Sequence, residues 1–346
     1  MSHPRNILLG AQAGSVQLPV CDHYSGVEAR MRKSLQLQAD MTQEFGTCVF
    51  DVTLDCEDGA PVGGEAEHAA LVTELALTTT AAAPDARIAV RVHPVDHPSF
   101  DADMAHIAGR AGRVLTHIMV PKVETVADVD RAQAALITAG AANLPLHVLI
   151  ESPAAVHRAF DIAAHPRVQS LSFGLMDFVS AHGGAIPADG MGTGGGQNPA
   201  SLDQFTHPLV LRAKLEIASA CHAHGKVPSH CVVTEFKNPE AIRMAAQKAA
   251  RELGYTRMWS IHPDQIRPIL EAMAPSEAQI DQASEIILAA QAAQWAPISH
   301  AGQLHDRASY RFFWQLIERA HQTGRRLPQE IQLFFTGPGH TARLVS

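Results

Sequence analysis

Short apolar runs alternate with longer amphipathic stretches along most of the chain. The runs have the length and β-branched content of buried strands, whereas the stretches between them are rich in Ala, Leu, Glu, Gln and Arg, which favour helix. This alternation predicts strands that are separated by helices. The predicted strands are Val16–Cys21, Cys48–Leu54, Arg87–Val92, His117–Pro121, Leu146–Glu151, Ser170–Gly174, Val227–Val232 and Met258–His262.

Helix-end signals support the same pattern in two of the intervening stretches. The stretch Val126–Gly140 ends in a glycine that suits a C-cap. The stretch Pro239–Gly254 follows Asn238, so that a capping residue and a first-turn proline mark its start, and it also ends in glycine. Both stretches are therefore predicted to be helices.

Eight strands that alternate with helices predict a (β/α)₈ TIM barrel over residues 1–275. A doubly wound parallel sheet is the alternative, but the glycine fingerprint of its nucleotide-binding form is missing. A boundary is predicted near Ala274-Pro275-Ser276, and residues 276–346 read as a C-terminal helical extension that reaches a neighbouring subunit. The aromatic residues of this extension are expected to pack against the barrel or that subunit: Tyr310, Phe312, Phe313 and Trp314.

A glycine-rich segment, residues 185–201, interrupts the alternation directly after the sixth predicted strand. Its position predicts a loop at the carboxyl ends of the strands, where barrel enzymes carry their active sites. A lid or binding loop and a plain flexible connection are both compatible with it. It is not a phosphate-binding P-loop, because no Gly-Lys-Ser/Thr follows the glycines.

Composition narrows the possible partners. The chain has 27 basic and 35 acidic residues and a net charge of −8, which argues against nucleic acid or an anionic membrane as partner. No apolar run approaches the roughly 20 residues that span a bilayer. The five cysteines lack a CxxC pair, and the amino terminus is a poor secretory signal, so we expect reduced thiols in a cytoplasmic protein.

Two predicted neighbouring strands each end in a carboxylate, Glu151 and Asp177. A strand–helix–strand unit places both at the same edge of a parallel sheet, where paired carboxylates suit a hard cation such as Mg²⁺. The alternatives are that Asp177 caps a helix and that Glu151 forms a salt bridge. The spacing leaves both possibilities open.

Further charged residues follow other predicted strands. Asp55, Glu57 and Asp58 cluster after the second strand, either as groups that hold metal-bound water or orient a base, or as a solvated turn with Asp58-Gly59 at its corner. Arg91 ends the third strand and could hold a substrate carboxylate with its planar fork, or pair with one of these acids.

Two more residues complete the set of strand-end candidates. Lys122 follows the fourth predicted strand, where it could bind substrate or balance the charge of the acidic cluster. His262 ends the eighth strand as a pocket residue or a structural closure residue.

Together these motifs resemble the citrate lyase beta-subunit-like family of the HpcH/HpaI aldolase superfamily, which includes malyl-CoA and citramalyl-CoA lyases. The resemblance covers most of residues 16–275, and the order of the motifs makes it specific. The motifs are Asp55-Cys56-Glu57-Asp58-Gly59-Ala60-Pro61, Arg91-Val92-His93-Pro94, Met119-Val120-Pro121-Lys122-Val123-Glu124, Ile150-Glu151-Ser152-Pro153, Phe173-Gly174-Leu175-Met176-Asp177 and Ile261-His262-Pro263-Asp264-Gln265-Ile266.

The resemblance implies a barrel that binds Mg²⁺ and makes or breaks a carbon–carbon bond next to a thioester. It implies that Glu151 and Asp177 bind the metal, that Arg91 matches the family's arginine, and that Glu57 and Asp58 match its acidic motif. A homo-oligomer, a trimer or a dimer of trimers, is also implied.

The resemblance extends to the C-terminal segment Ala301–Asp306, which looks like a family segment that reaches a neighbouring active site. Its first aspartate is replaced by Ala301, whereas its last, a catalytic acid/base in family lyases, is kept as Asp306. The first-strand arginine that serves CoA binding is missing; Arg30, Arg32 and Lys33 lie nearby but match no motif.

Three hypotheses follow. The leading one is an Mg²⁺-dependent lyase that acts on a short 3-hydroxyacyl-CoA and releases a 2-oxo acid. The second is an aldolase that acts on a free 2-oxo or 2-hydroxy acid without CoA, and the third is a catalytically silent oligomeric subunit. Retention of Arg91, Glu151, Asp177 and Asp306 together argues against the third.

Overall fold

Eight parallel strands form the larger of two structural units, which spans Leu18–Met273. The strands pair in chain order and the eighth also pairs with the first, so the sheet closes into a barrel. This computed structural model describes residues 3–10, 13, 17–194 and 202–336. The predicted TIM barrel is confirmed, and the doubly wound sheet is excluded because an open sheet would leave the first and eighth strands unpaired.

The strands and helices alternate through the barrel as the hydrophobic pattern predicted. The barrel strands are β1 Cys21–Ser25, β2 Phe50–Asp55, β3 Ile88–Arg91, β4 Ile118–Val120, β5 Leu146–Ile150, β6 Val168–Phe173, β7 Val227–His230 and β8 Arg257–Ser260. The α-helices in the described residues are α1 Pro4–Leu9, α2 Glu28–Phe45, α3 Glu65–Ala82, α4 Phe100–Asp103, α5 Gly109–Ala111, α6 Val126–Thr138, α7 Pro153–His157, α8 Ala159–Ala164, α9 Leu175–Ser180, α10 Pro208–Ala223, α11 Pro239–Arg251, α12 Pro263–Met273, α13 Glu277–Ala292, α14 Arg307–Gln322 and α15 Gln329–Thr336.

Strand β1 lies further along the chain than predicted. The prediction was Val16–Cys21, and of this range residue 16 is outside the described residues; the observed strand begins only at Cys21. The hydrophobic pattern misled because the strand carries a buried aspartate, Asp22, which accepts a 2.7 Å hydrogen bond from Thr53 Oγ1. A hydrogen-bonded polar residue therefore occupies a strand position at which the hydrophobic pattern predicts an apolar one.

Side chains of the strands are buried on both sides of the barrel wall. In β2, for example, Val52 and Leu54 alternate with Asp51 and Thr53, so the two pairs lie on opposite faces, and all four are fully buried. Two-sided burial is expected of parallel strands that are covered by helices.

The two predicted helix boundaries agree with local capping. Thr125 forms a capping box at the start of α6, and Gly140 adopts a φ of +74° just after its end. Asn238 caps α11 by accepting a hydrogen bond from the amide of Ala241. Helix α11 ends at Arg251, three residues before the predicted terminal glycine.

The smaller unit consists of Met1–Gln17 and Ala274–Ser346. The grouping of residues 1–17 with the barrel is therefore corrected: Leu8 and Leu9 of α1 belong to an apolar core of this unit. The prediction for Tyr310 and Trp314 is also corrected, because both are fully buried in that same core. Phe312 is exposed on this chain, and its packing against a neighbouring subunit stays a prediction. The unit also contains a two-stranded antiparallel hairpin, β9 Ile298–His300 and β10 Gln303–His305.

Across the described ranges, the helices are all too short or too polar to cross a lipid bilayer.

Candidate active site at the carboxyl ends of the barrel strands

The charged residues predicted from the barrel sequence gather at the carboxyl ends of consecutive strands. Asp55 ends β2, and Arg91 ends β3. Lys122 and Glu151 follow β4 and β5, and Asp177 lies in the first turn of α9, directly after β6. Closure of the barrel brings these ends to one face, which is where TIM barrels assemble active sites.

Glu151 is a buried carboxyl group with little compensation from hydrogen bonds. Its Oε2 accepts one hydrogen bond of 2.8 Å, from the backbone amide of Lys122. Burial, followed by the nearby charge of Asp177, raises the pKa of Glu151 to about 8. No salt bridge to Glu151 occurs within the described part of the chain, so the salt-bridge alternative is excluded.

Gly174 makes room for this carboxyl group. A Cβ atom added at Gly174 would lie 2.4 Å from Cγ and 2.5 Å from Oε1 of Glu151. Such distances are far below van der Waals contact, so any larger residue would displace the carboxylate. The glycine of the Phe173–Asp177 motif therefore has a steric role.

Asp177 is the second carboxylate of the pair. The N-cap of α9 is Gly174, and Asp177 makes no side-chain cap, so the helix-cap alternative is excluded. Asp177 is half-buried, and it forms no hydrogen bond or close ion pair within the described ranges; the charge of Lys122 acts on it from further away. Two adjacent carboxylates without a close ion-pair partner match the oxygen-donor set that a hard divalent cation prefers.

Arg91 is held rigidly next to this pair. Its Nε and Nη2 each donate a 2.6 Å hydrogen bond to Asp55, and Nη1 lies 3.0 Å from Glu57 Oε2. Its guanidinium also covers the ring of Tyr24 at 4.8 Å. The ion pair considered from the sequence is thus present, and it fixes the direction of the side chain.

Lys122 links the two sides of the site. Its φ of +54° is unusual for a residue with a side chain, and this conformation allows the amide to face Glu151 while Nζ pairs with Glu57. Nζ also lies 3.6 Å from Asp58, whose side chain is exposed. The charge-balancing interpretation of Lys122 is therefore correct in this structure.

The acid that sequence reasoning undervalued is Asp55. Glu57 and Asp58 were the predicted functional acids of this cluster, yet Asp55 is fully buried and also accepts hydrogen bonds from the amides of Glu57 and Gly59 at 3.0 and 2.7 Å. Its place as the last residue of β2 was the available signal, because that position faces the strand-end site.

Comparison of the chain with known proteins shows its family. Residues 35–263 match the profile of the HpcH/HpaI aldolase/citrate lyase family. The chain belongs to this family. It is 32% identical over 247 residues to an L-malyl-CoA/beta-methylmalyl-CoA lyase from Rhodobacter capsulatus, with 67% of this chain and 76% of that protein covered.

Solved structures agree with this assignment. A citrate lyase from Burkholderia xenovorans is 46% identical, with a TM-score of 0.77, and the match covers 97% of this chain and 100% of that one. The fold is shared with CitE from Mycobacterium tuberculosis in complex with magnesium, acetoacetate and coenzyme A, at 18% identity and a TM-score of 0.60, covering 88% and 98% of the two chains. As a member of this family of lyases, the protein is a carbon–carbon lyase, and the silent-subunit hypothesis is discarded.

The segment Ala301–Asp306, for which a resemblance to a family segment was expected, lies in the smaller unit. Asp306 is the N-cap of α14, and its Oδ1 accepts hydrogen bonds from the amides of Ala308 and Ser309 at 2.9 and 3.3 Å. The preceding hairpin turns at Ala301 and Gly302, which both have positive φ angles, +46° and +76°. The sequence analysis did not predict this capping function.

The remaining candidates lie at the edge of the site. The ring of His262 stacks on Phe236 at 4.6 Å, and its backbone amide donates to Gln265 Oε1, which favours a structural function. The glycine-rich loop is described only to residue 194, and residues 195–201 lie outside the described residues. Its first part is tied to the loop after β7, because the amide of Thr193 donates to Glu235 at 3.3 Å.

Proposed function

We propose that this lyase requires Mg²⁺ and acts on a short 3-hydroxyacyl-CoA of the citramalyl-CoA or malyl-CoA type. It would release a 2-oxo acid and an acyl-CoA, or run the reverse Claisen condensation. The observation that carries the proposal is the pair of carboxyl groups, Glu151 and Asp177, next to Arg91 at adjoining strand ends. The malyl-CoA lyase relative supports the substrate class.

Glu151 and Asp177 would hold the metal. Bound Mg²⁺ supplies positive charge that stabilises the oxygens of a 2-oxo acid. The burial of Glu151 favours this reading, because an ionised carboxylate in that position is costly without a cation beside it. Its hydrogen bond from the amide of Lys122 would hold the carboxylate in one orientation.

Arg91 would bind the carboxylate or carbonyl of the substrate through Nη1. Nε and Nη2 both donate hydrogen bonds to Asp55. Nη1, which pairs with Glu57, is therefore the nitrogen at which a substrate oxygen would replace the Glu57 carboxylate. Lys122 would add a second positive charge, since its side chain is 40% exposed. Glu57 and Asp58 would position these two cations and hold water next to the metal.

Asp306 would act as the acid that protonates the departing enolate, and as the base in the reverse direction. Its capping hydrogen bonds use Oδ1, so Oδ2 keeps a lone pair for proton transfer. It would act in the active site of a neighbouring subunit of a trimer or a dimer of trimers.

The CoA portion would lie near the start of α2. Arg30 and Lys33 are exposed in the first turns of this helix, which begins at the carboxyl end of β1. They could pair with phosphates in place of the arginine that the family carries after its first strand. Arg32 is already paired with Glu28 at 2.7 Å.

The test is a screen of short 3-hydroxyacyl-CoA esters, with and without Mg²⁺, that detects glyoxylate, pyruvate or oxaloacetate. Glu151→Gln should abolish turnover and weaken Mg²⁺ binding in calorimetry, with an unchanged circular dichroism spectrum. Glu74→Gln, at an exposed position in the middle of α3, is the matched control and should behave as the parent. Full turnover by Glu151→Gln, or turnover that needs no divalent cation, contradicts the proposal.

The contribution of Asp306 has its own test. Asp306→Asn and Glu151→Gln should each be inactive alone. If active sites are shared between subunits, mixed oligomers of the two variants should regain part of the activity, because some sites then contain both native residues. Absence of recovery after verified subunit exchange contradicts this assignment.

The free-acid aldolase remains a second candidate because the CoA-binding arginine of the family is missing. Calorimetry with CoA esters and with the corresponding free acids separates the two. Binding of the free acid, together with no detectable binding of any CoA ester, favours the aldolase.

A further inference from the structure

Tyr24 lies near the carboxyl end of β1, at the face of the barrel that carries the candidate site. Strand β1 spans Cys21–Ser25, and His23 points outward from it, because its Nε2 lies 3.0 Å from Ser34 Oγ of α2. Since successive side chains of a strand point to opposite sides, Tyr24 points into the barrel. Its side chain therefore faces the same space as that of Arg91.

The ring of Tyr24 packs against two side chains that are themselves fixed. The guanidinium carbon of Arg91 lies 4.8 Å from the centre of this ring, and Arg91 is held by Asp55. The indole of Trp259 lies with its ring centre 5.1 Å from that of Tyr24, and its Nε1 donates a 3.1 Å hydrogen bond to Ser172 Oγ. The position of the phenol ring is thus determined before any ligand binds.

The hydroxyl of Tyr24 has no hydrogen-bonding partner in the part of the chain that the structure describes. The side chain is half-buried, and its hydroxyl reaches solvent. The other two tyrosines differ, because Tyr255 donates to the carbonyl of Lys214 at 3.0 Å and Tyr310 donates to that of Ala296 at 2.7 Å. The hydroxyl of Tyr24 is therefore available to a bound molecule.

This hydroxyl is a neutral donor next to charged groups. Burial raises the pKa of Tyr24 to about 12; the charge of Arg91 opposes this rise, and the carboxylates of Asp55, Asp58 and Glu57 add to it. The phenol therefore keeps its proton at neutral pH and donates a hydrogen bond. Its electrostatic interaction with these four residues indicates that it lies near the charged end of the site.

Arg91 by itself offers one nitrogen to a substrate carboxylate. Its Nε and Nη2 both donate to Asp55, which leaves Nη1. A carboxylate has two oxygens that accept hydrogen bonds, so its second oxygen needs another donor. Lys122 Nζ is already paired with Glu57. The hydroxyl of Tyr24 lies against Arg91 and, within the described residues, has no competing partner.

We propose that the Tyr24 hydroxyl donates a hydrogen bond to one oxygen of the substrate carboxylate whose other oxygen binds Nη1 of Arg91. Tyr24 is then a substrate-binding residue. This inference rests on the proposed function, because it assumes that Arg91 binds the carboxylate of the substrate. It applies to the acyl-CoA lyase and to the free-acid aldolase alike, since a 2-oxo or 2-hydroxy carboxylate is common to both.

The charge of the carboxylate determines which kinetic constant responds. A carboxylate keeps its charge from substrate to product, so the hydrogen bond from Tyr24 contributes equally to the bound substrate and to the transition state. Loss of such a uniform contribution raises KM and leaves kcat nearly unchanged. A group that only supports the fold would produce no such separation.

The experiment compares the full chain with Tyr24→Phe, which loses the hydroxyl and keeps the ring against Arg91 and Trp259. Calorimetry with pyruvate, glyoxylate and oxaloacetate in the presence of Mg²⁺ measures the affinity for a 2-oxo acid. For the acid that binds the parent, we expect Kd to rise by about 10-fold or more, as for a lost hydrogen bond to an ionised group. We expect KM to rise by a similar factor, with kcat within about threefold of the parent.

Tyr255→Phe is the matched control. It also removes one phenol hydroxyl from the barrel, but this hydroxyl donates to the backbone of Lys214. Its Kd and KM should equal those of the parent.

The possible outcomes separate this inference from the proposed function. Parent-like Kd and KM in a Tyr24→Phe preparation that turns over substrate overturn the inference and leave the proposed function intact. A fall in kcat with unchanged KM also overturns it, because the hydroxyl would then act on the reacting atoms instead of the carboxylate. A parent protein that binds no 2-oxo acid with Mg²⁺ and turns over none of the esters overturns both.

A measurement on the parent protein covers the case in which the variant does not fold. A crystal structure with Mg²⁺ and the bound 2-oxo acid should place a carboxylate oxygen within about 3.2 Å of the Tyr24 hydroxyl. A separation of more than about 4 Å overturns the inference.

Discussion

Asp55 accepts two hydrogen bonds of 2.6 Å from Arg91, one from Nε and one from Nη2. Both side chains are at most 3% exposed, so the pair is held in a dry environment at the carboxyl ends of β2 and β3. Because Asp55 binds both Nε and Nη2, the guanidinium cannot rotate freely. Its third nitrogen, Nη1, lies next to Glu57. Asp55 is therefore the residue that positions Arg91.

Asp55→Asn should damage both stability and activity. Loss of one partner leaves the Arg91 charge buried and partly unpaired, which costs roughly 3 kcal/mol. Because the orientation of the guanidinium is also lost, we expect kcat/KM to fall by about 10²-fold. Chemical unfolding and steady-state kinetics measure the two effects.

Glu57→Gln is the matched comparison for Asp55→Asn. Glu57 makes one 3.0 Å contact with Nη1 of Arg91 and pairs with the half-exposed Lys122, whereas Asp55 accepts two 2.6 Å hydrogen bonds from Arg91, so neutralisation of Glu57 should cost less stability than that of Asp55. Equal losses of stability in the two variants would show that Asp55 stabilises Arg91 no more than Glu57 does.

Gly174→Ala should disable the site without unfolding the barrel. The added Cβ would meet the carboxyl group of Glu151 at 2.5 Å, and a side chain gives way more easily than the backbone. We expect weaker Mg²⁺ binding in calorimetry and a loss of turnover of about 10²-fold or more. Gly109→Ala is the control, since its Cβ would meet nothing closer than 3.6 Å. Native Mg²⁺ affinity in Gly174→Ala would refute the steric argument.

The sequence predicted the placement of those charged residues whose position follows from strand order alone. Glu151, Asp177 and Arg91 each follow or end an apolar run, and the closed barrel then brings them to one face. Asp55 and Lys122 were harder, because their functions depend on which partner each one reaches across the barrel. Pairing over long chain separations is not encoded in any local pattern.

The same limit explains the errors in the fold. Strand β1 was misplaced because Asp22 interrupts its apolar pattern, and the reason for Asp22 is Arg257, at the other end of the barrel sequence. Likewise, the grouping of α1 with the smaller unit depends on contacts such as the 2.6 Å ion pair between Arg5 and Glu318. The hydrophobic periodicity of the sequence predicts which helices and strands form. Where they begin, and which unit they join, depends on contacts between residues far apart in the chain.

Ala301→Asn should stabilise the β9–β10 hairpin. Ala301 and Gly302 both have positive φ angles, as the two central residues of a type I′ turn do, and alanine tolerates this conformation poorly. Asparagine adopts it readily, so we expect a gain of roughly 0.5 to 1 kcal/mol. Thermal unfolding measures the gain. Gly302→Ala should have the opposite effect, and a loss of stability in Ala301→Asn would contradict the turn assignment.

Because of Lys214, we expect the free energy of unfolding to change with pH in the alkaline range. It is fully buried, with Nζ 2.7 Å from Gln204 Oε1 and 4.1 Å from the ring centre of Phe205. Burial lowers the pKa of Lys214 from 10.5 to about 8. Between these values the folded state has released the proton that the unfolded state still holds. The free energy of unfolding should therefore rise with pH in this range, by about 1.4 kcal/mol per pH unit.

Urea unfolding of the parent and of Lys214→Met between pH 7 and pH 10 isolates this contribution. The difference in unfolding free energy between them should stay constant below pH 8 and should shift in favour of the parent by up to about 3 kcal/mol by pH 10, because methionine has no proton to release. Lys237→Met removes a lysine from the surface instead, and its difference from the parent should not change in this way. A flat difference for Lys214→Met would mean that Lys214 keeps its proton in the folded barrel and that Gln204 and the Phe205 ring compensate its charge.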